Sequence, residues 1–351
     1  MRIGIFDPYF DTLGGAEKYV LEIASCLAGK HDVFLFWEDK EILKKATDRF
    51  GKDFSCIKQT ENIFSSKFSS IKRIFETRNY DCIFYLSDGS FPLLLSKKNI
   101  LIFQFPVNWV NGKKISTKIK LKRVSKIICY SDFVKKFLDK TFSINSVVLP
   151  PAINIPTSRK SKENIILTVG RYTRAQNAKK QEFLIETFKK MCDGGLSDWE
   201  FIVAGSVLPK DEDYVRLIKE KAKGYPIEVL ENVPFEKLFD LYKTSKIYWH
   251  ATGFGDDLKK HPERAEHFGI STVEAMASGA VPIVINAGGQ KEIVQESENG
   301  FLWDSREELM KKTKELIKDI KLWNKLSTEA VKRAKYYNHE KFCERINELI
   351  K

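Results

Sequence analysis

The stretch SVVLPPAINIPTSRKSKENIILTVGRY, residues 146–172, decides the fold. Val147 to Leu149 close one apolar run. The Pro150-Pro151 pair then biases the chain to extended backbone. A polar stretch from Thr157 to Glu163 follows, and a second apolar run lasts from Asn164 to Val169. A strand that ends, a linker marked by prolines and a strand that starts again read as the junction of two domains.

On both sides of this junction, short apolar runs alternate with amphipathic stretches, the pattern of a parallel sheet with crossover helices. Upstream, strands are expected over 2–6, 32–37, 81–86, 99–105, 125–130 and 145–149, and helices over 15–28, 40–49, 69–78 and 132–140. Downstream, strands are expected over 164–169, 200–204, 227–230, 246–250 and 281–285. Helices are expected there over 178–191, 213–223, 235–244, 271–278 and 289–297. The tail from 305 to 350 reads as helical, with a break near Tyr336-Tyr337-Asn338-His339. The fold class is therefore α/β, with two doubly wound domains at 1–156 and 157–337 and a last helix, 338–351, placed to pack back on the first. The facing strand ends of two such sheets form a cleft, where these sheets bind ligands.

Composition agrees with two domains. The 351 residues include 43% hydrophobic side chains, enough for two cores, and 12% aromatic residues, which argues against disorder. The six cysteines, at 26, 56, 82, 129, 192 and 343, form no CxxC pair and read as buried reduced thiols, not as a disulfide framework or zinc site. No apolar run approaches the ~18–20 residues that cross a bilayer. The chain starts directly on the strand Arg2–Phe6, so no signal peptide and a cytoplasmic location are expected, with peripheral contact at the inner face of the membrane. Net charge is +12, which favours nucleic acid, anionic lipid or a phosphorylated substrate. No nucleic-acid motif accompanies the charge, so nucleic acid is not among the expected partners. Residues 113–140 hold ten Lys or Arg against two Asp, and Phe64, Phe68, Ile71 and Phe75 alternate with Lys67, Lys72 and Arg73. Such segments suit an anionic membrane surface, and equally a solvated basic face over core aromatics.

Four constellations carry chemistry. Leu13-Gly14-Gly15-Ala16-Glu17 lies between a strand and a helix, where paired glycines and a helix N-terminus suit a phosphate, and equally a plain tight turn. Gly170-Arg171-Tyr172 and Lys179-Lys180 place cations at a strand end and a helix start, where they can clamp a diphosphate or stand as two solvated charges. In Glu266-His267-Phe268-Gly269-Ile270-Ser271-Thr272-Val273-Glu274, a turn at Phe268-Gly269 sets Glu266 on a loop and Glu274 in a helix. Loop amides can meet phosphate oxygens there, and the carboxylates can accept from sugar or ribose hydroxyls. Asn286-Ala287-Gly288-Gly289-Gln290 makes a further glycine turn at the same sheet edge. His250, His261 and His267 near Asp256-Asp257 have irregular spacing for a metal, and Asp211-Glu212-Asp213 reads as the solvated first turn of a helix.

The run Glu266 to Gly279, EHFGISTVEAMASG, resembles the signature of the large retaining glycosyltransferase family that includes phosphatidylinositol mannosyltransferases, sucrose synthase and dolichol-linked mannosyltransferases. The order GGAE, GRY with a following Lys, Glu-x7-Glu, NAGGQKEIV and NGFLW extends the resemblance over nearly the whole chain. It implies a GT-B architecture and transfer of a hexose, mannose by the EHFGI wording, from GDP-mannose or a UDP-sugar to a glycan or lipid-linked acceptor. No metal is expected. By motif, Arg171 and Lys179 would hold the donor diphosphate, Lys179 being nine residues before Phe188 as the family's Lys is. Glu266 would contact the sugar, Phe268, Gly269 and Ile270 would offer amides, and Glu274 would bind ribose. Asn232 and Val233 would meet the base, and Gly14 and Gly15 the substrate. Many members carry a His near the sugar at a first-domain strand end. The first-domain His here, His31, lies at a strand start, and the corresponding strand carries Gln104. Gln104 replaces that His, or the role is absent and the chain is an inactive nucleotide-sugar-binding partner subunit.

Overall fold

The computed structural model describes residues 1–351 except 108, 113, 157, 159 and 175–177. Lys113, where the basic run begins, and Thr157, the expected first residue of the second domain, therefore lie outside the described residues. The chain forms two compact units, Met1–Ala152 with His339–Lys351, and Ile153–Asn338.

Among the described residues the first unit holds seven parallel strands: β1 (Arg2–Phe6), β2 (Asp32–Phe36), β3 (Lys58–Thr60), β4 (Cys82–Leu86), β5 (Lys98–Phe103), β6 (Lys126–Cys129) and β7 (Val147–Val148). Their order is β3-β2-β1-β4-β5-β6-β7. Central β4 is buried along its whole length, as a strand covered on both faces must be. Helices α1 (Gly15–Ala28), α2 (Ile42–Phe50), α3 (Ser70–Glu76), α4 (Ile115–Leu121) and α5 (Asp132–Phe142) connect the strands. The Glu17 carboxylate accepts from the Gly14 N–H at 2.5 Å and so satisfies the N-cap amide at the start of α1.

Among the described residues the second unit holds six parallel strands: β8 (Glu163–Val169), β9 (Glu200–Gly205), β10 (Ile227–Glu231), β11 (Ser245–His250), β12 (Val281–Ile285) and β13 (Phe301–Trp303), ordered β10-β9-β8-β11-β12-β13. Its helices are α6 (Gln181–Asp193), α7 (Glu212–Ala222), α8 (Phe235–Thr244), α9 (Ile270–Ala277), α10 (Gln290–Ile293), α11 (Arg306–Lys318) and α12 (Ile320–Ala334). Phe188, Trp249 and Trp303 are fully buried in its core. The last helix, α13 (His339–Ile350), belongs to the first unit, where Phe342 meets Tyr19 with ring centroids 5.5 Å apart.

Three expectations need correction. Cys26 and Cys343 form a disulfide between α1 and α13, and Cys56 is exposed, so buried reduced thiols describe only part of the set. The two bonded cysteines are 317 residues apart, and only the packing of α13 on α1 brings their Cα atoms to 5.0 Å. Lys179 and Lys180 precede their helix instead of opening it, because Lys180 adopts left-handed backbone at φ 56°. The helix expected over 289–297 is only the four-residue α10, which stops at Val294 in extended backbone.

Candidate active site

In the second sheet the connections turn opposite ways between β8 and β11, and ligands of such sheets bind at the carboxyl ends of the strands at that switch. Glu266, only 9% exposed, lies there. Its Oε2 accepts from Lys179 Nζ at 2.6 Å and from His250 Nε2 at 2.7 Å. The Thr252 N–H donates to His250 Nδ1 at 3.4 Å, which leaves Nε2 as the nitrogen that carries the proton. Burial alone would raise the Glu266 carboxyl; the Lys179 charge and the His250 hydrogen bond outweigh it and hold the group well below the usual carboxylate range. Burial also lowers His250, against the pull of Glu266.

The backbone is shaped around this cluster. A Cβ on Gly170 would stand 2.6 Å from Lys179 Cγ, so the glycine after β8 lets the lysine stem cross the strand end. Gly269 has φ +118° and is the N-cap of α9, a conformation that side chains other than glycine rarely adopt. The first amides of α9, from Ile270 onward, point out of its N-terminus. Phe268 is buried against Tyr337, with ring centroids 5.3 Å apart. The Gly289 N–H donates to Glu266 O at 2.7 Å and ties the second glycine turn to the Glu266 loop.

Arg171 is exposed at the end of β8, and Gln181 Nε2 donates to its carbonyl at 3.1 Å. Lys180 pairs with Asp256 at 2.6 Å, so the adjacent lysines serve different carboxylates. Glu274 is half-buried in α9 beside Tyr242, whose phenol is pushed well up by burial and by the Glu274 charge. Asn232, at φ 47°, follows β10, and its Oδ1 accepts from the Val207 N–H at 3.1 Å; Val233 is buried. Of the three histidines near Asp256-Asp257, His250 meets Glu266, while His261 meets the Glu263 carboxylate at 3.2 Å and His267 the Glu263 carbonyl at 3.1 Å. Burial lowers His267 to about 4.

In the first unit, Gln104 follows β5 and is 9% exposed, and its Nε2 donates to Ala16 O at 3.3 Å. It thereby touches the helix that Gly14 and Gly15 open. His31 stands just before β2. Asp7, directly after β1, is fully buried, and one carboxylate oxygen has no hydrogen-bond partner. Burial and the Glu17 charge push the Asp7 carboxyl up to about 8.

The model of the family "Glycosyl transferases group 1" matches residues 152–333, just over half of the chain. The chain belongs to this family. Among its relatives, the "GDP-Man:Man(3)GlcNAc(2)-PP-Dol alpha-1,2-mannosyltransferase" of Xenopus laevis is 30% identical over 175 residues, 46% of this chain and 34% of that protein. The glycogen synthase of Kosmotoga olearia is 30% identical over 146 residues, 38% of this chain and 28% of that enzyme. The group 1 chain thus spans about a third of the length of these relatives. The crystal structure of Anabaena Alr3699/HepE in complex with UDP superimposes with a TM-score of 0.74 at 16% identity and covers 99% of both chains. The two parallel-sheet units are those of the GT-B fold.

Two polar residues at strand ends in this group 1 chain escape motif reading. The motifs offer His250 only as a metal ligand and do not include Asp7. Both follow an apolar run directly, and a polar residue at the carboxyl end of a predicted parallel strand is the signal that finds them.

Proposed function

We propose that this chain is a hexosyltransferase that moves a hexose, mannose by preference, from a nucleotide sugar to a glycan or lipid-linked glycan, with retention at the anomeric carbon. The observation that carries the reading is the Lys179–Glu266–His250 cluster at the switch point of the second sheet. Arg171 and Lys179 hold the donor diphosphate, with Phe268, Gly269 and Ile270 offering amides at the start of α9. Glu266, kept ionised, accepts from sugar hydroxyls, and His250 orients it through Nε2–H. Glu274 takes the ribose hydroxyls, and Asn232 and Val233 meet the base. As the diphosphate leaves, fixed cations and amides stabilise the charge that grows on it. The acceptor hydroxyl enters on the face the diphosphate leaves, and a phosphate oxygen takes its proton. Side chains and amides meet that charge, so we expect no metal requirement.

The name of the Xenopus relative favours GDP-mannose, and the UDP in the Anabaena structure keeps uridine donors in the comparison. A thermal-shift screen of GDP, UDP and ADP sugars identifies the donor, and radiolabelled donor then measures turnover. Binding without transfer or hydrolysis would make the chain an inactive nucleotide-sugar-binding subunit. No binding by any donor would overturn the donor site.

The acceptor side of this reading is an anionic membrane surface beside the first unit. Helix α3 turns Ile71 and Phe75 outward, 70% and 53% exposed, and α4 turns out Ile115 and Ile119, 77% and 55% exposed. Each pair is spaced i,i+4 and so shares one helix face. Exposed Lys72, Arg78, Lys114, Lys118 and Lys122 flank them. Apolar side chains standing outward among cations fit an interface of hydrocarbon and anionic headgroups.

A further inference from the structure

We infer that the first unit carries a site for a soft divalent cation of the zinc class where α1 meets α13, built from Cys26, Cys343 and His339. Cys26 shares its helix face with Glu22, four residues earlier on α1, and Cys343 shares its face with His339, four residues earlier on α13. The two sulfurs and a ring nitrogen of His339 all lie within 4.8 Å of one another. His339 Nε2 stands 3.3 Å from Cys343 Sγ. Ligand atoms around tetrahedral zinc are separated by about 3.5–3.8 Å, given Zn–S and Zn–N lengths of about 2.3 and 2.0–2.1 Å.

The other ring nitrogen is already positioned. His339 Nδ1 lies 2.8 Å from Glu22 Oε2, and Lys52 Nζ holds the same oxygen at 2.5 Å. A carboxylate behind a histidine fixes the ring and leaves Nε2 directed at the metal, the usual support of a zinc-binding imidazole. Two sulfurs and an imidazole select zinc-like cations over magnesium or calcium. Cys26 and Cys343 are partly exposed and His339 is exposed, so solvent can reach the fourth position.

Metal and disulfide use the same sulfurs and exclude each other. A phosphine supplies two electrons to cleave the Cys26–Cys343 bond, and one water supplies the two thiol protons and the oxygen of the phosphine oxide that forms. Each thiol then loses its proton to solvent as its thiolate binds the cation. In either state α13 stays tied to α1.

The test uses the full chain, reduced with a phosphine, desalted without air and titrated with Co2+, then with Zn2+. We expect a single equivalent of Co2+ to give sulfur-to-cobalt charge-transfer absorption, and Zn2+ to abolish it. The same protein oxidised beforehand should bind none, a comparison that needs no substitution. Cys26→Ser and Cys343→Ser should each abolish the band, and Glu22→Gln should weaken binding roughly 10–100-fold. Cys56→Ser, which removes none of the three ligands, should leave it unchanged. Absence of thiolate-bound Co2+ in the reduced parent would overturn the site. So would persistence of the band in the Cys26→Ser/Cys343→Ser double variant.

Discussion

Glu266 is where two cationic or hydrogen-bonding side chains of the second unit converge, and Lys179 is the one that carries a fixed charge there. If Lys179 is released to the diphosphate when donor binds, its loss costs transition-state stabilisation. Lys179→Ala should therefore lower turnover roughly 10²–10³-fold, the usual effect of removing one preorganised donor. Lys180→Ala should change it little, because Lys180 is paired with Asp256. Equal losses in steady-state assays of the two would remove the assignment. Glu274→Ala should weaken nucleotide binding without lowering the melting temperature; unchanged affinity by calorimetry would end the ribose role. Asp7 makes a prediction of the opposite kind. Its folded carboxyl titrates near 8, far above its ordinary value of 3.8, so the fold favours the protonated form. That contribution to stability is complete below the unfolded pKa and declines as pH rises towards 8. Asp7→Asn cannot ionise, so its stability should fall less than the parent's between pH 5 and pH 8. The gap between the two should widen as pH rises towards 8, as the linkage of proton binding to folding requires. Parallel denaturant curves for parent and variant would refute the buried acid.

At the scale of elements, α3 and α4 break the rule that a helix turns its apolar face inward. Neither buries its isoleucines at 71, 115 and 119, so an amphipathic pattern read as core-facing would misplace them. Helix α4 lies within the basic run, where the apolar pattern predicts no helix. A variant with Ile71, Phe75, Ile115 and Ile119 replaced by Ser should lose co-sedimentation with anionic vesicles and keep donor binding. Replacing Lys114, Lys118 and Lys120 by Ser should shift binding to lower salt, each charge contributing about 1 kcal/mol within a Debye length. A parent that ignores anionic vesicles at low salt would refute the membrane reading and leave a soluble acceptor. The apolar pattern also does not predict strands β3 and β13. Both have three residues and sit at sheet edges, where one neighbour suffices and no long apolar run is needed.

For the whole molecule, the donor reading places nucleotide contacts in Ile153–Asn338 alone. Saturating nucleotide should slow amide hydrogen exchange in the loops after β8, β10 and β11 and at the start of α9. Protection confined to Met1–Ala152 would refute it. The alternation of apolar runs determined that this chain builds two parallel sheets, because strands buried on both faces must be apolar along their length. The glycine turns and EHFGISTVEAMASG also fixed where polar chemistry would gather, since glycines at strand ends report close backbone approach without any partner being known. Partnership itself was decided only by the tertiary structure. Which carboxylate Lys179 meets, that His250 joins it, that Asp7 is buried beside Glu17, and that Cys26 finds Cys343 all depend on strand order and helix packing. These residues lie far apart along the chain, apart from neighbours such as Asp7 and Glu17, and local pattern carries no information about contacts that sheet topology creates.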